Sequence, residues 1–142
     1  MRVAVAAICE EVRVREDGRL DLIGVAPDEV ALRQLPWNGA LTLALILELG
    51  PDDERDRTAM NVSVIRARDG SVVGKVDPAS AEQPRQVPTS ETSPVHVPFR
   101  LGLQVRLEEP GLHRVLVRSP GGEPLADVPF GVREKDASGR GG

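Results

Sequence analysis

Aromatic side chains are scarce in this 142-residue chain, which has one tryptophan, two phenylalanines and no tyrosine. Single-strand nucleic-acid grooves work by stacking bases on rings, and sugar-binding faces use rings too. Trp37, Phe99 and Phe130 are too few to build either. Lysine is nearly missing as well, limited to Lys75 and Lys135, and the formal net charge is −4. No arginine cluster dominates any segment. A phosphate-backbone binder needs a positive stripe, so no nucleic-acid partner is expected. A lone cysteine, Cys9, excludes an internal disulfide and points to a reducing compartment, hence a cytoplasmic location. No apolar run approaches the roughly 20 residues that span a bilayer. The run from Val3 to Ile8 is also shorter than the roughly 7–15-residue core of a signal peptide. Ile8, rather than a small residue, precedes Cys9, so no lipid attachment and no membrane partner are expected.

What the chain does have is alternation with a period of two, the signature of strands whose side chains point to opposite faces. In "VAVAAICEE" Val3, Val5, Ala7 and Cys9 share the more apolar face, with Arg2, Ala4, Ala6, Ile8 and Glu10 opposite. Val12 and Val14 then lead through Asp17-Gly18 to Leu20 and Leu22, and Asp-Gly between alternating segments is a strong hairpin signal. "ALTLALILEL" sets Leu41, Leu43, Leu45, Leu47 and Leu49 on one face and Ala40, Thr42, Ala44 and Ile46 on the other. Two apolar faces predict a strand inside a sheet, although leucine and alanine also suit a helix. Met60, Val62 and Val64 precede a second hairpin turn at Asp69-Gly70. The longest alternation runs from Val95 to Leu107, and Pro98 on its polar face predicts an edge or a bend there. A last pair flanks Pro120-Gly121-Gly122, with Pro129 again predicting an edge.

These signals amount to about eight to ten short strands with no convincing helix, so the predicted fold is an all-β antiparallel β-sandwich, immunoglobulin-like or jelly-roll-like. A single domain is expected over residues 1–134, with a disordered tail over 135–142. Residues 77–94, which contain four prolines, read as a long irregular loop, and loops of that length are commonly functional or disordered.

Each candidate for chemistry has a plainer alternative. As a nucleophile Cys9 would need a nearby base and a positive setting, yet its neighbours are Glu10 and Glu11. A small buried hydrophobe on a strand is the simpler assignment. His96 and His113 show no metal-motif spacing with each other or with Cys9. His96 falls on a solvated face, whereas His113 shares parity with Val115 and Val117 and stands where an aromatic would fit. The acidic stretches at 15–21 and 51–57 lack the carboxylate spacing of a calcium loop and carry neutralising arginines. There is no G-x-S-x-G elbow and no glycine-rich phosphate cradle. Asn61-Val62-Ser63 matches a glycosylation sequon but lies within a predicted strand. No enzyme, catalytic residue, metal or cofactor is therefore assigned.

Two stretches, "AAICEEVRVREDGRLDLIGV" and "EEPGLHRVLVRSPGGEPLADVPFGV", resemble an uncharacterised bacterial domain-of-unknown-function family of small β-sandwich proteins. The shared features are an A-x-x-C-[DE]-[DE]-V opening, an L-x-[LV]-I-G-V second strand and a closing hairpin beginning P-G-x-[YH]. The resemblance covers Ala6 to Val25 and Glu109 to Val132, and it implies the fold and the absence of a signal peptide. It brings no activity and no site residues.

The function expected from these readings is a non-catalytic interaction or assembly module that binds a protein partner or a second copy of itself by strand pairing at an open sheet edge. Trp37 in "LPWNG" and Pro84, Arg85 and Val87 in the long loop are the candidate contacts. A small-ligand or metal-binding domain is the alternative.

Overall fold

The computed structural model describes residues 2–17, 19–25, 29–50, 60–76 and 95–135. Nine strands succeed one another with no helix among these residues: β1 (Arg2–Val14), β2 (Leu20–Val25), β3 (Glu29–Leu32), β4 (Trp37–Leu49), β5 (Asn61–Arg66), β6 (Val72–Val76), β7 (Val95–Leu107), β8 (Gly111–Arg118) and β9 (Pro124–Glu134). They form one sheet in the order β2-β1-β4-β7-β6-β5-β8-β9-β3. Every neighbouring pair is antiparallel except β3 with β9, which is parallel. The all-β expectation holds. The alternation pattern had suggested a two-sheet antiparallel sandwich, and the strands instead share one mixed sheet.

That sheet has to curl. Laid flat, its eight inter-strand spacings would set β2 and β3 about 38 Å apart. The three residues that join Val25 to Glu29 allow a reach of no more than about 14 Å. The two ends of the sheet are thus brought together, and β1 touches β9 across the curl although they are far apart in strand order.

The concave side holds the core. β4 and β7 pair along their full lengths, setting Leu41 beside Leu103, Leu43 beside Leu101, Leu45 beside Phe99 and Leu47 beside Val97. Such cross-strand apolar pairs contribute roughly 0.2–1 kcal/mol each. Val62, Val64, Val115, Val117, Phe130 and Val132 complete the buried cluster from the opposite wall. Tertiary pairing on both sides of β4 decides for strand over the helix that its leucines and alanines also permit.

In β1 the alternation is broken by a register shift between Val3 and Val5. One added residue transfers all later side chains to the other face. As a result Ala6 and Ile8 point into the main core, and Val5 is 37% exposed. Cys9, expected on the core face, lies instead in a small second cluster with Val12 and Ala44. Pro98 lies in the half of β7 that the described β6 ladder, Gly74 to Val76, does not reach. Pro129 precedes the stretch of β9 that pairs with β3. Both prolines, which lack an N–H, therefore lie where the described residues form no second ladder. The irregular segment 77–94 and residues 136–142 of the expected tail lie outside the described residues.

The hairpin turns fall where the sequence places them. Gly70 has φ 72° and Gly122 φ 88°, backbone that glycine adopts without a Cβ clash. Arg66 donates from Nε to Asp69 Oδ1 at 3.1 Å and from Nη2 to Oδ2 at 2.7 Å, and the Ser71 N–H donates to Oδ1 at 3.0 Å. The Arg66 guanidinium, with Ser71 second, holds the Asp69 carboxyl far below the usual carboxylate range. A depressed carboxyl adds stability above its unfolded pKa, near 4, that is lost as pH falls below that value. On acidification the stability advantage of the wild type over Asp69→Asn should therefore shrink below about pH 4. Urea unfolding of both proteins from pH 7 to pH 3 measures this, and a pH-independent difference would contradict it.

Gly74 is needed for a different reason, close approach. A Cβ there would lie 2.5 Å from Val105 Cγ1 and 2.6 Å from the Gln104 carbonyl oxygen. The backbone of β7 cannot yield cheaply, so Gly74→Ala should cost roughly 1–3 kcal/mol by overpacking. An unchanged urea midpoint would refute that.

Candidate functional site

The concave core is not sealed all round. β1 leaves β4 after the pair Cys9–Thr42, and from there it pairs with β2 alone. Among the described residues the start of β4, Trp37 to Leu41, therefore pairs only with β7. Among the same described residues β2 pairs only with β1, and β3 only with β9. These free backbone edges border one cleft of about 530 Å³, lined by Ile8 to Glu10, Gly24, Val25, Glu29 to Leu32, Trp37, Ala40 to Thr42 and Lys135. Leu32 and Leu41, 9% and 8% exposed, are the least enclosed members of the core, and both face this opening. The core surfaces here.

Local sequence shapes the cleft walls. Trp37 packs against the core from one side, and its ring lies over Gly39, where a Cβ would collide with it. Only glycine two residues on leaves the ring that resting place. Gly24 has φ 65°, and the Glu10 side chain lies against it, 2.6 Å from the position a Cβ would take. The C-terminal end of β3 is tied down by the Lys135 N–H donating to the Leu32 carbonyl at 2.6 Å. Arg133 on β9 holds Glu29 at its N-terminal end. Glu10 and Lys135 make no ion pair among the described residues.

The residues singled out by sequence lie in different places. Trp37 lines the cleft. Pro84, Arg85 and Val87 lie outside the described residues. Cys9 lines the cleft as well, but it is buried, and burial pushes its thiol up while a backbone hydrogen bond at Ala44 opposes the shift. A thiol held in the neutral form is a poor nucleophile. His96 is exposed, 4.0 Å from Glu48 across the strand pair. Among the described residues no group of three or more His, Cys, Asp or Glu could hold a metal ion, and no helix is long and apolar enough to cross a membrane. What sequence reasoning missed is the cleft itself. Its lining includes Glu10, Gly24, Glu29, Leu32 and Lys135, and no motif links the first two, in the opening stretch, with the other three.

His113 is buried at 1% exposure, in phase with the buried Val115 and Val117. Its ring stacks on Phe130 with centroids 5.7 Å apart, and Nδ1 lies 3.0 Å from the Gly111 carbonyl oxygen. A carbonyl only accepts, so in the neutral ring Nδ1 carries the proton and Nε2 is left as a bare acceptor. Nε2 has no partner. His113 thus serves as an aromatic core residue carrying one unsatisfied atom, and it is not among the residues that line the cleft.

No family model, curated protein or solved structure matches this chain.

An unsatisfied buried acceptor costs about 1–3 kcal/mol, more than one neutral hydrogen bond returns. His113→Phe should therefore stabilise the protein by roughly 1 kcal/mol while keeping the stack on Phe130. A lower melting temperature for this variant would show that Nε2 is satisfied in solution.

Proposed function

We propose that the chain is a non-catalytic interaction module that binds another protein chain at the open cleft of its curled sheet. One observation carries this reading: both terminal strands of the sheet, β2 and β3, border one cleft whose lining mixes apolar side chains with Glu10, Glu29 and Lys135. Edge strands are a liability that proteins usually blunt with proline, lysine or covering loops. Leu20–Val25 and Glu29–Leu32 contain neither proline nor lysine, and Ile23 and Val25 are 37% and 47% exposed. The same reading takes the curl as a sandwich-like pair of layers, with β1, β4 and β7 facing β8 and β9. It also places the chain with the bacterial family of small β-sandwich proteins that its two ends resemble. A small-ligand site is the second reading, favoured by a volume that falls in the range of small-molecule pockets.

Affinity capture from a native lysate, repeated with Trp37→Ala and with Ile23→Lys, tests the proposal. Circular dichroism checks that each variant folds. Burying a tryptophan anchor is worth about 2 kcal/mol or more, so a stoichiometric partner of the wild type should fall by at least tenfold with Trp37→Ala. Equal capture by all three proteins would place the interface elsewhere. Capture by none, together with a thermal shift on adding small ligands, would favour the pocket reading.

A further inference from the structure

We infer that the occupant of the cleft is an extended segment of another polypeptide, about four residues long in its paired part, added as a strand between β2 and β3 with a basic residue at one end and an acidic residue at the other. This rests on the interaction-module reading and specifies its partner. The first argument is dimensional. One strand inserted between two others needs them about 10 Å apart, within the reach of about 14 Å that the three-residue link allows. The second is chemical. The free edges of β2 and β3 present backbone N–H and C=O groups, and a ladder of these is best satisfied by another extended backbone. β3 has four residues, Glu29–Leu32, which sets the length of pairing.

The third argument is direction and charge. Seven antiparallel steps separate β2 from β9, and β3 is parallel to β9, so β2 and β3 run oppositely. An inserted strand is therefore parallel to one and antiparallel to the other. Opposite directions also place Gly24, near the end of β2, level with the start of β3, and Leu32 at the far end of the cleft. Glu10 packs on Gly24 and Lys135 bonds Leu32. The cleft thus has an acidic end at Glu10 and a basic end at Lys135, neither ion-paired among the described residues. Glu29, the other lining carboxylate, is already held by Arg133. Leu32, Leu41 and Trp37 receive the apolar side chains of the occupant, which alternate with polar ones facing solvent.

Selection of a random ten-residue peptide library on the immobilised full-length chain tests this. The enriched sequences should alternate apolar and polar residues, lack proline within the paired stretch, and carry Lys or Arg about three positions from Asp or Glu. The best peptide should change Trp37 fluorescence and slow the labelling of Cys9. N-methylation of alternate amides, which removes ladder donors, should weaken it at least tenfold. Lys135→Glu, at an exposed position, should weaken it and restore binding when the acidic residue of the peptide is changed to lysine. Proline-rich or non-alternating winners that still alter Trp37 fluorescence would overturn strand addition and leave the interaction-module reading standing. No enrichment, or peptides that leave Trp37 and Cys9 unaffected, would overturn the inference. Concentration-dependent dimerisation that shields Cys9 would assign the cleft to a second copy of the chain.

Discussion

The short link between β2 and β3 is the constraint on which the rest of this structure depends. Neighbours in sequence, these two strands are also the two ends of a nine-strand hydrogen-bonded order. Three residues cannot span a flat sheet of that width, so the sheet rolls until its ends approach. Rolling gives the leucines of β4 a wall to pack against in β8 and β9, and the main core results. A chain of this length with few aromatics needs that enclosure. Its core is mostly leucine and valine, whose burial contributes roughly 1.5–3 kcal/mol each.

Most of this was legible where a local rule decides. Period-two alternation placed Leu41 to Leu49 and Val97 to Leu107 on one face, and the structure buries both sets. Asp-Gly at 69–70 and Gly-Gly at 121–122 marked turns that need positive φ. The face of β1 was not legible, because a single register shift between Val3 and Val5 inverts every later position of the strand and carries no residue signature. Nor was the parallel pairing of β3. Four residues, "EVAL", give too short a pattern to read, and their partner lies a hundred positions away in β9. The candidate site failed to show for the same reason. Of its charged residues, Glu10, Glu29 and Lys135, no two share a motif, and only the curl brings them to one opening. Trp37 was legible because a single large ring in a Pro/Gly setting attracts notice by itself.

Among the described residues the one buried polar side chain, His113, obeys a related logic. His113 sits in strand parity with Val115 and Val117, and its ring fills an aromatic-shaped space against Phe130. Nδ1 finds the Gly111 carbonyl within its own strand, so half of the polar cost of burial is met locally. Nothing in the sequence around "GLHRV" separates this from a ligand histidine. Only the surrounding apolar packing does.

The choice made by β3 explains why a cleft exists at all. β2 and β3 run in opposite directions and are joined by three residues, a length common in β-hairpins. Direct pairing would have sealed the sheet into a barrel with no free edge. Instead β3 pairs in parallel with β9, an arrangement slightly less stable per residue. Specific contacts tip that balance. Leu32 is buried in the core, its carbonyl accepts from the Lys135 N–H, Arg133 holds Glu29, and the Leu35 N–H donates to Glu134. Each contact draws β3 toward β9 and away from β2. The local hairpin is forgone, and the backbone groups it would have used stay at the mouth of the core.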